Sequence, residues 1–159
     1  MDAVVAVYED WGIGCRGTQP VVIPEDRRYF AALTKGACVI MGRTTMCDCP
    51  GGGPLPGRDN IILSRSCPEI EGAQVAASVS DALRLAKGHE RVFVLGGQAV
   101  FSQMMPHINR IYVTKIGLTP KSDSYFPNLD EMPEWKCTDP GEPFLSGDVV
   151  CSFCVYERI

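Results

Sequence analysis

No apolar run in the chain approaches the roughly 18 residues that a membrane span needs, so a membrane partner is not expected. A block of Lys and Arg is missing too. Fifteen basic against nineteen acidic residues leave a net charge of −4. That is the wrong sign for gripping phosphates along a strand, and nucleic acid is excluded as a partner. The first residues, MDAVVAVYED, carry no basic group ahead of their apolar stretch. They do not read as a secretory signal, and a soluble, cytoplasmic protein is expected. Histidine is scarce: His89 and His107 both fall in loop-like contexts that predict surface positions. Linkers, internal repeats and low-complexity stretches are absent from the 159 residues, so one domain spanning 1–159 is expected. A hydrophobic share of 45% excludes a disordered chain.

Cysteine, by contrast, is plentiful: Cys15, Cys38, Cys47, Cys49, Cys67, Cys137, Cys151 and Cys154. Without a secretory signal, reduced thiols are the better reading of this even number. Cys47-x-Cys49 and Cys151-x-x-Cys154 could in principle combine around zinc. However, Cys151 and Cys154 lie in the apolar run VVCSFCVY, where residues three apart point to opposite faces of a strand. No metal is expected. Cys15 sits among glycines in an expected exposed loop, open to oxidation but signalling no catalysis.

The order of elements predicts an α/β fold. Strands are read at 2–8, 38–41, 60–64, 73–77, 91–95 and 110–116, then near 134–138 and 148–157. Pro24 opens a first helix that runs to about Lys35, where Gly36 stops it. Short helices follow from Arg43, over 79–87 with Ser78 and Asp81 as a capping box, and over 98–105. The strands are continuous apolar runs alternating with helices, the pattern of a mostly parallel sheet covered on both faces. The last two strands lack an intervening helix, which predicts an antiparallel hairpin or edge. Residues 9–23, with Gly12, Gly14, Gly17 and Pro20, form a loop long enough to be functional or mobile.

The first helix holds the most informative residue. Asp26, Tyr29, Phe30 and Leu33 stand at i, i+3, i+4 and i+7, one narrow stripe that must face the core, while Arg27 and Arg28 point elsewhere. A first-turn acid can simply stabilise the helix dipole. A carboxyl on the apolar side can also be held in a cleft with its pKa raised, ready to bind a ligand and influence a proton transfer. With no His, Cys or second carboxylate nearby in sequence, such an acid does not suit hydrolysis. It suits a reaction whose electrons come from elsewhere.

Two strand-to-helix junctions are candidates for holding phosphates: Gly42-Arg43-Thr44-Thr45 and Gly96-Gly97. Glycine is common at such turns for backbone reasons alone. Two of them leading off one sheet are better explained by a ligand with two phosphates. The Gly-x-Gly-x-x-Gly fingerprint is absent, so an ordinary Rossmann domain is not supported. Leu63-Ser64-Arg65 adds a hydroxyl and a guanidinium at another strand end. Arg58, after Pro54-Leu55-Pro56-Gly57, could hold a carboxylate bidentately or be a solvated turn residue. Thr114 reads either as an ordinary strand threonine or as a buried hydrogen-bonding group. Trp11 is expected to pack rather than bind.

Together these strings resemble the dihydrofolate reductase family: WGIG at 11–14, IPEDRRYF at 23–30, VIMGRTT at 39–45, PLPGRDNIILSR at 54–65, VFVLGGQAVF at 92–101, IYVTKI at 111–116 and DSYFP at 123–127. They occur in order over essentially the whole chain. The resemblance implies a mostly parallel, twisted eight-stranded sheet with helices on both faces. It implies reduction of 7,8-dihydrofolate to 5,6,7,8-tetrahydrofolate by hydride from NADPH, feeding one-carbon and thymidylate metabolism. A monomer that binds antifolate inhibitors is expected. Asp26 would hydrogen-bond the amino and ring-nitrogen edge of the pteridine and promote ring protonation, with Thr114 sharing its network. Val4, Val5, Phe30 and Leu95 would line the pteridine pocket, Leu55 would touch the benzoyl linker, and Arg58 would bind the glutamate carboxylate. Gly42, Arg43, Thr44 and Thr45, with Gly96, Gly97, Gln98, Ala99, Val100 and Phe101, would hold the cofactor. Leu63, Ser64 and Arg65 would join Arg43 around its 2′-phosphate. Loop 9–23 would be a flap over the nicotinamide, with Ala6 and Ile13 against that ring.

The chain departs from the family pattern at Val21, where tryptophan is usual, at Gln19, where methionine or leucine is common, at Phe101, where tyrosine is common, and in the length of CPGGGPLPG. Val21 predicts a wider pocket beside the pteridine unless Gln19 or Val22 folds in. Two rivals stay open. One is the NADPH-dependent pyrimidine reductase of the riboflavin pathway, of the same fold, which needs neither the PED acid nor the PLPGR arginine. The other is a non-catalytic folate- or nucleotide-binding module.

Overall fold

The computed structural model describes residues 1–159. Strands β1 (Asp2–Val7) and β2 (Gly12–Gly14) precede helix α1 (Pro24–Thr34). Then come β3 (Cys38–Gly42), α2 (Arg43–Asp48), β4 (Asp59–Leu63), β5 (Gln74–Ala76) and α3 (Val79–Ala86). The second half holds β6 (Val92–Gly96), α4 (Gln98–Met104), β7 (Arg110–Ile116) and β8 (Ser124–Tyr125). It ends with β9 (Trp135–Asp139), β10 (Phe144–Ser146) and β11 (Val149–Arg158).

The main sheet has the order β10-β11-β7-β1-β6-β3-β4-β5. From β7 to β5 every neighbouring pair is parallel, and β11 runs antiparallel to β7. β9 pairs with the end of β11 and β10 with its start, so two short strands share the one edge position beyond it. The sheet is therefore eight positions wide, as expected, with nine strands in it.

Burial explains why these strands read as unbroken apolar runs. Ala3, Val5, Cys38, Ile40, Ile61 and Val94 face the side covered by α3 and α4. Val4, Val39, Met41, Ile62 and Phe93 face the other, where α1 and α2 contribute Phe30, Leu33 and Met46. Alternate residues serve opposite cores, so neither face has room for a polar stripe. Cys151 and Cys154 fall in different clusters, on opposite faces, as their spacing predicts. All eight cysteines are free thiols. No helix is long and apolar enough to cross a membrane.

Local signals behave as their chemistry dictates. Ser78 Oγ accepts the Asp81 amide at 3.0 Å and starts α3. Gly36, at φ +72°, takes the left-handed turn that ends α1. Two expectations need correction. The loop 9–23 is not free of regular structure, because β2 pairs with β8. The late antiparallel hairpin is made by β10, a short strand not among those read from the sequence, with β11. His89 lies at the surface, partly exposed, its ring nitrogens meeting Ala86 O at 3.1 Å and Asp59 Oδ2 at 3.2 Å.

Candidate active site

Parallel strands end on one side of the sheet, and there a cavity of about 1000 Å³ opens between α1, α2, α4 and the loop 13–19. Its floor is Val4, Val5 and Ala6 from β1 with Leu95 from β6. Phe30 and Leu55 line one arm; Gly42, Arg43, Thr44, Thr45, Gly97, Gln98, Ala99, Val100 and Phe101 line the other, and Ile13 belongs to the same wall.

Asp26 projects into the first arm from the opening turn of α1. The expected stripe is observed: Asp26, Tyr29, Phe30 and Leu33 are half-buried, while Arg27, Arg28, Ala31 and Ala32 are exposed. Tyr29 stacks on Phe153 of β11 with ring centroids 4.2 Å apart, which seats the helix on the sheet one turn beyond the acid. Thr114, fully buried on β7, donates its hydroxyl to Asp26 Oδ1 at 2.6 Å. Thr114 thus resolves as a buried hydrogen-bonding group, standing behind the acid rather than in the cavity wall. Burial pushes the Asp26 carboxyl above its ordinary range, with the Thr114 hydroxyl and the Arg27 charge drawing it partly back. No cation pairs with it; the ion pairs of the chain are Arg84–Asp81, His89–Asp59, Arg110–Glu157 and Lys115–Asp130. A lone carboxyl so placed can accept hydrogen bonds from a ligand's N–H edge and bias a proton transfer.

The two glycine turns come together in the second arm. A Cβ on Gly42 would crowd Val100 Cγ2 at 3.3 Å and touch Gly96 O at 3.8 Å, so the two turns lie against each other. The Gly96–Gly97 peptide is cis, and Gly96 has φ +118°. Neither Gly42 nor Gly97 caps its helix with a side chain, which leaves first-turn amides of α2 and α4 free. Gln98 is tied down, its Oε1 accepting the Tyr125 amide at 2.8 Å. Gly96 lies just behind the wall, and Leu63, Ser64 and Arg65 stand outside it. Parallel pairing of Gly42 with Leu63 nevertheless puts Ser64 and Arg65 at the strand end next to Arg43.

Leu55 and Arg58 owe their positions to Asn60, a residue that sequence reasoning missed. Asn60 is buried, takes the Leu55 amide on Oδ1 at 2.9 Å and returns Nδ2 to Leu55 O at 2.9 Å and Arg58 O at 3.1 Å. Its signal was available: an amide leading directly into the apolar run 61–63 needs partners. Arg58 lines the cavity while donating to Thr34 Oγ1, Pro56 O and Ala31 O.

The flap differs from expectation. Val21 does not reach the cavity; it packs with Tyr8, Ile23, Ile116 and Cys151, while Gln19 takes a place in the wall and Val22 is exposed. The cause is Tyr8, whose buried hydroxyl donates to Val21 O at 2.9 Å and accepts the Val21 amide at 3.0 Å. Tyr8→Phe removes both bonds at once. We expect the Val21 amide to exchange with solvent about tenfold faster, in line with roughly 1–3 kcal/mol for stranded polar groups, and unchanged exchange would show that the loop holds without the hydroxyl. For Val21→Trp, the packing predicts a stability loss of about 1–3 kcal/mol from overfilling this cluster, read by thermal denaturation. Trp11 packs, as expected, on Phe126 at 6.4 Å.

Arg27 also differs from its expected direction, since it lines the cavity beside Asp26. A residue one step from the core stripe is rotated by about 100°, and here the cavity mouth extends that far around the helix.

Comparison with known proteins agrees with this geometry. Residues 1–158 match the family profile described as dihydrofolate reductase. A dihydrofolate reductase of Neisseria meningitidis serogroup A is 39% identical over 134 residues, covering 84% of this chain and 82% of the relative. One from Bacillus subtilis is 38% identical over 150 residues, covering 92% and 87%. With a match over nearly every residue and relatives at this identity, the chain belongs to the dihydrofolate reductase family.

Proposed function

We propose that the protein reduces 7,8-dihydrofolate to 5,6,7,8-tetrahydrofolate with NADPH as the electron donor. The observation that carries this reading is the Asp26–Thr114 pair, an uncompensated carboxyl held at 2.6 Å from a buried hydroxyl in an apolar arm of the cavity. Asp26 accepts the amino and ring-nitrogen edge of the pteridine there, and its bias toward the protonated state favours protonation of the ring. Val4, Val5, Phe30 and Leu95 exclude water around that edge, Leu55 meets the benzoyl linker, and Arg58 takes a carboxylate of the tail.

The second arm fits a dinucleotide. Its two turns lie close together, with a Cβ at Gly42 crowding Val100, and the free amides of α2 and α4 suit phosphate oxygens. Arg43, Thr44, Thr45 and Gly97 through Phe101 would hold the cofactor, Ser64 and Arg65 would approach it from the next strand end, and Ala6 and Ile13 would flank its nicotinamide. When bound, NADPH supplies the hydride. Within this reading the protein works as a cytoplasmic monomer and is a target for antifolate inhibitors. The riboflavin-pathway alternative leaves Asp26 and Arg58 without a task, and a merely binding module leaves the raised acid unexplained.

The test is direct. Purified protein mixed with NADPH and dihydrofolate should consume the nicotinamide absorbance at a rate proportional to protein. No loss above the blank overturns the proposal.

A further inference from the structure

Three cations line the cavity, and they divide unequally. Arg43 belongs to the glycine turns, whereas Arg27 and Arg58 both stand on the α1 side. Arg58 spends Nε, Nη1 and Nη2 hydrogens on Thr34 Oγ1, Pro56 O and Ala31 O. Of the five N–H groups of a guanidinium, two are left. Arg27 is exposed at the mouth and its guanidinium takes part in none of the chain's ion pairs. A second observation places the two cations on one wall. The Cys49 thiol, which also lines the cavity, is pushed up by burial and by Asp48, and is drawn back by both Arg27 and Arg58. Two acids line the cavity: Asp26, which feels the Arg27 charge without forming an ion pair with it, and Asp48, exposed and paired with neither arginine.

We propose that Arg27 and Arg58 form a two-cation clamp for the two carboxylates of a glutamyl tail, and that Arg27 sets the preference for tailed over tailless substrates. The proposal rests on the dihydrofolate reading above. A glutamyl group carries two carboxylates a few bonds apart. The two free donors of Arg58 suffice for one bidentate contact, and the second carboxylate then needs another cation. Arg27 is free to turn toward it, because no protein acceptor competes for its hydrogens. Arg27 touches none of the reacting atoms, and its pull on the Asp26 carboxyl bears on tailed and tailless substrates alike, so its part in holding the tail is read from their ratio and from the dihydrofolate KM.

The experiment compares 7,8-dihydrofolate with 6-methyl-7,8-dihydropterin, which has the reducible ring and no tail. Arg27→Gln removes the charge from an exposed position of a helix that tolerates glutamine well. The ratio of kcat/KM for dihydrofolate over that for the tailless pterin should fall about two- to fivefold, the upper part of the range for a solvent-exposed charge contact, with the change in the dihydrofolate KM. Arg27→Lys should recover part of the ratio. Raising the salt concentration should lower the ratio more steeply in the unsubstituted protein than in the glutamine variant, where the Arg58 contact alone remains to be screened. A ratio unchanged in Arg27→Gln, in protein that turns over dihydrofolate, overturns the clamp while leaving the substrate reading intact. Failure of the unsubstituted protein to reduce dihydrofolate overturns the reading itself, so the two failures are distinct.

Discussion

Asp26→Asn is expected to slow dihydrofolate reduction by about two to four orders of magnitude, the usual range when acid–base assistance is withdrawn. The fold should gain stability from the same change. Burial raises the Asp26 carboxyl above its ordinary value of 3.8, so the native state holds a proton over a pH window in which the unfolded chain has released it. The stability this group contributes is fully present below 3.8 and is lost as pH rises through the higher native value. At neutral pH the unfolded chain gains an ionisation that burial resists in the native site, a cost that asparagine lacks. Asparagine still accepts the Thr114 hydroxyl through Oδ1, so the contact at 2.6 Å can survive. Thermal melting should show Asp26→Asn above the parent at pH 7, by about 2–4 °C for each kcal/mol relieved, with the gap closing toward pH 3.8. A folded Asn variant with near-normal turnover would remove Asp26 from the mechanism. A gap that widens toward acid would mean that the native state holds the carboxyl charged, the opposite of what its burial dictates.

This opposition of rate and stability is partly legible in the sequence alone. The stripe Asp26, Tyr29, Phe30, Leu33 needs only the helical period to put a carboxyl on the apolar side. The sheet is legible for a similar reason: strands such as CVIM must bury both faces, and only a parallel, helix-covered sheet offers that. What escapes sequence reasoning depends on partners distant along the chain. Strands β2 and β8 have three and two residues, too few for a period, and exist because Gly12 finds Tyr125. Val21 turns from the cavity because one hydroxyl thirteen residues earlier captures its backbone. Arg27 joins the cavity because the mouth wraps past the core-facing stripe, a matter of cavity shape that helical periodicity does not encode. The glycine turns are visible singly, yet their mutual packing, Gly42 against Gly96, follows from β3 and β6 being neighbours.

NADPH should be preferred over NADH at least tenfold, and the preference should collapse in Arg43→Ala combined with Arg65→Ala. Arg43 starts α2 at the cavity wall, and Arg65 follows β4, whose Leu63 pairs with Gly42. Both arginines are exposed and neither is engaged in an ion pair, so alanine at either position strips no support from the fold. A 2′-phosphate between them gains charge-assisted hydrogen bonds that NADH cannot make, each worth about 1.5–3 kcal/mol before solvent screening. Exposure trims that figure, and tenfold, about 1.4 kcal/mol, is the conservative remainder. The two positions are not equivalent. Arg43 borders the cavity and Arg65 lies beyond its wall, so Arg43→Ala alone should cost more of the preference than Arg65→Ala alone. Ser64 keeps its hydroxyl hydrogen for the phosphate, because its Oγ only accepts the Cys67 amide at 3.2 Å, a bond that also fixes its position. Titrating each variant with both nucleotides at two salt concentrations decides the matter: a charge contact weakens with salt for NADPH and scarcely for NADH. Equal affinity for the two nucleotides in the parent protein, or a preference untouched by the double substitution, would mean that the phosphate is read by other groups.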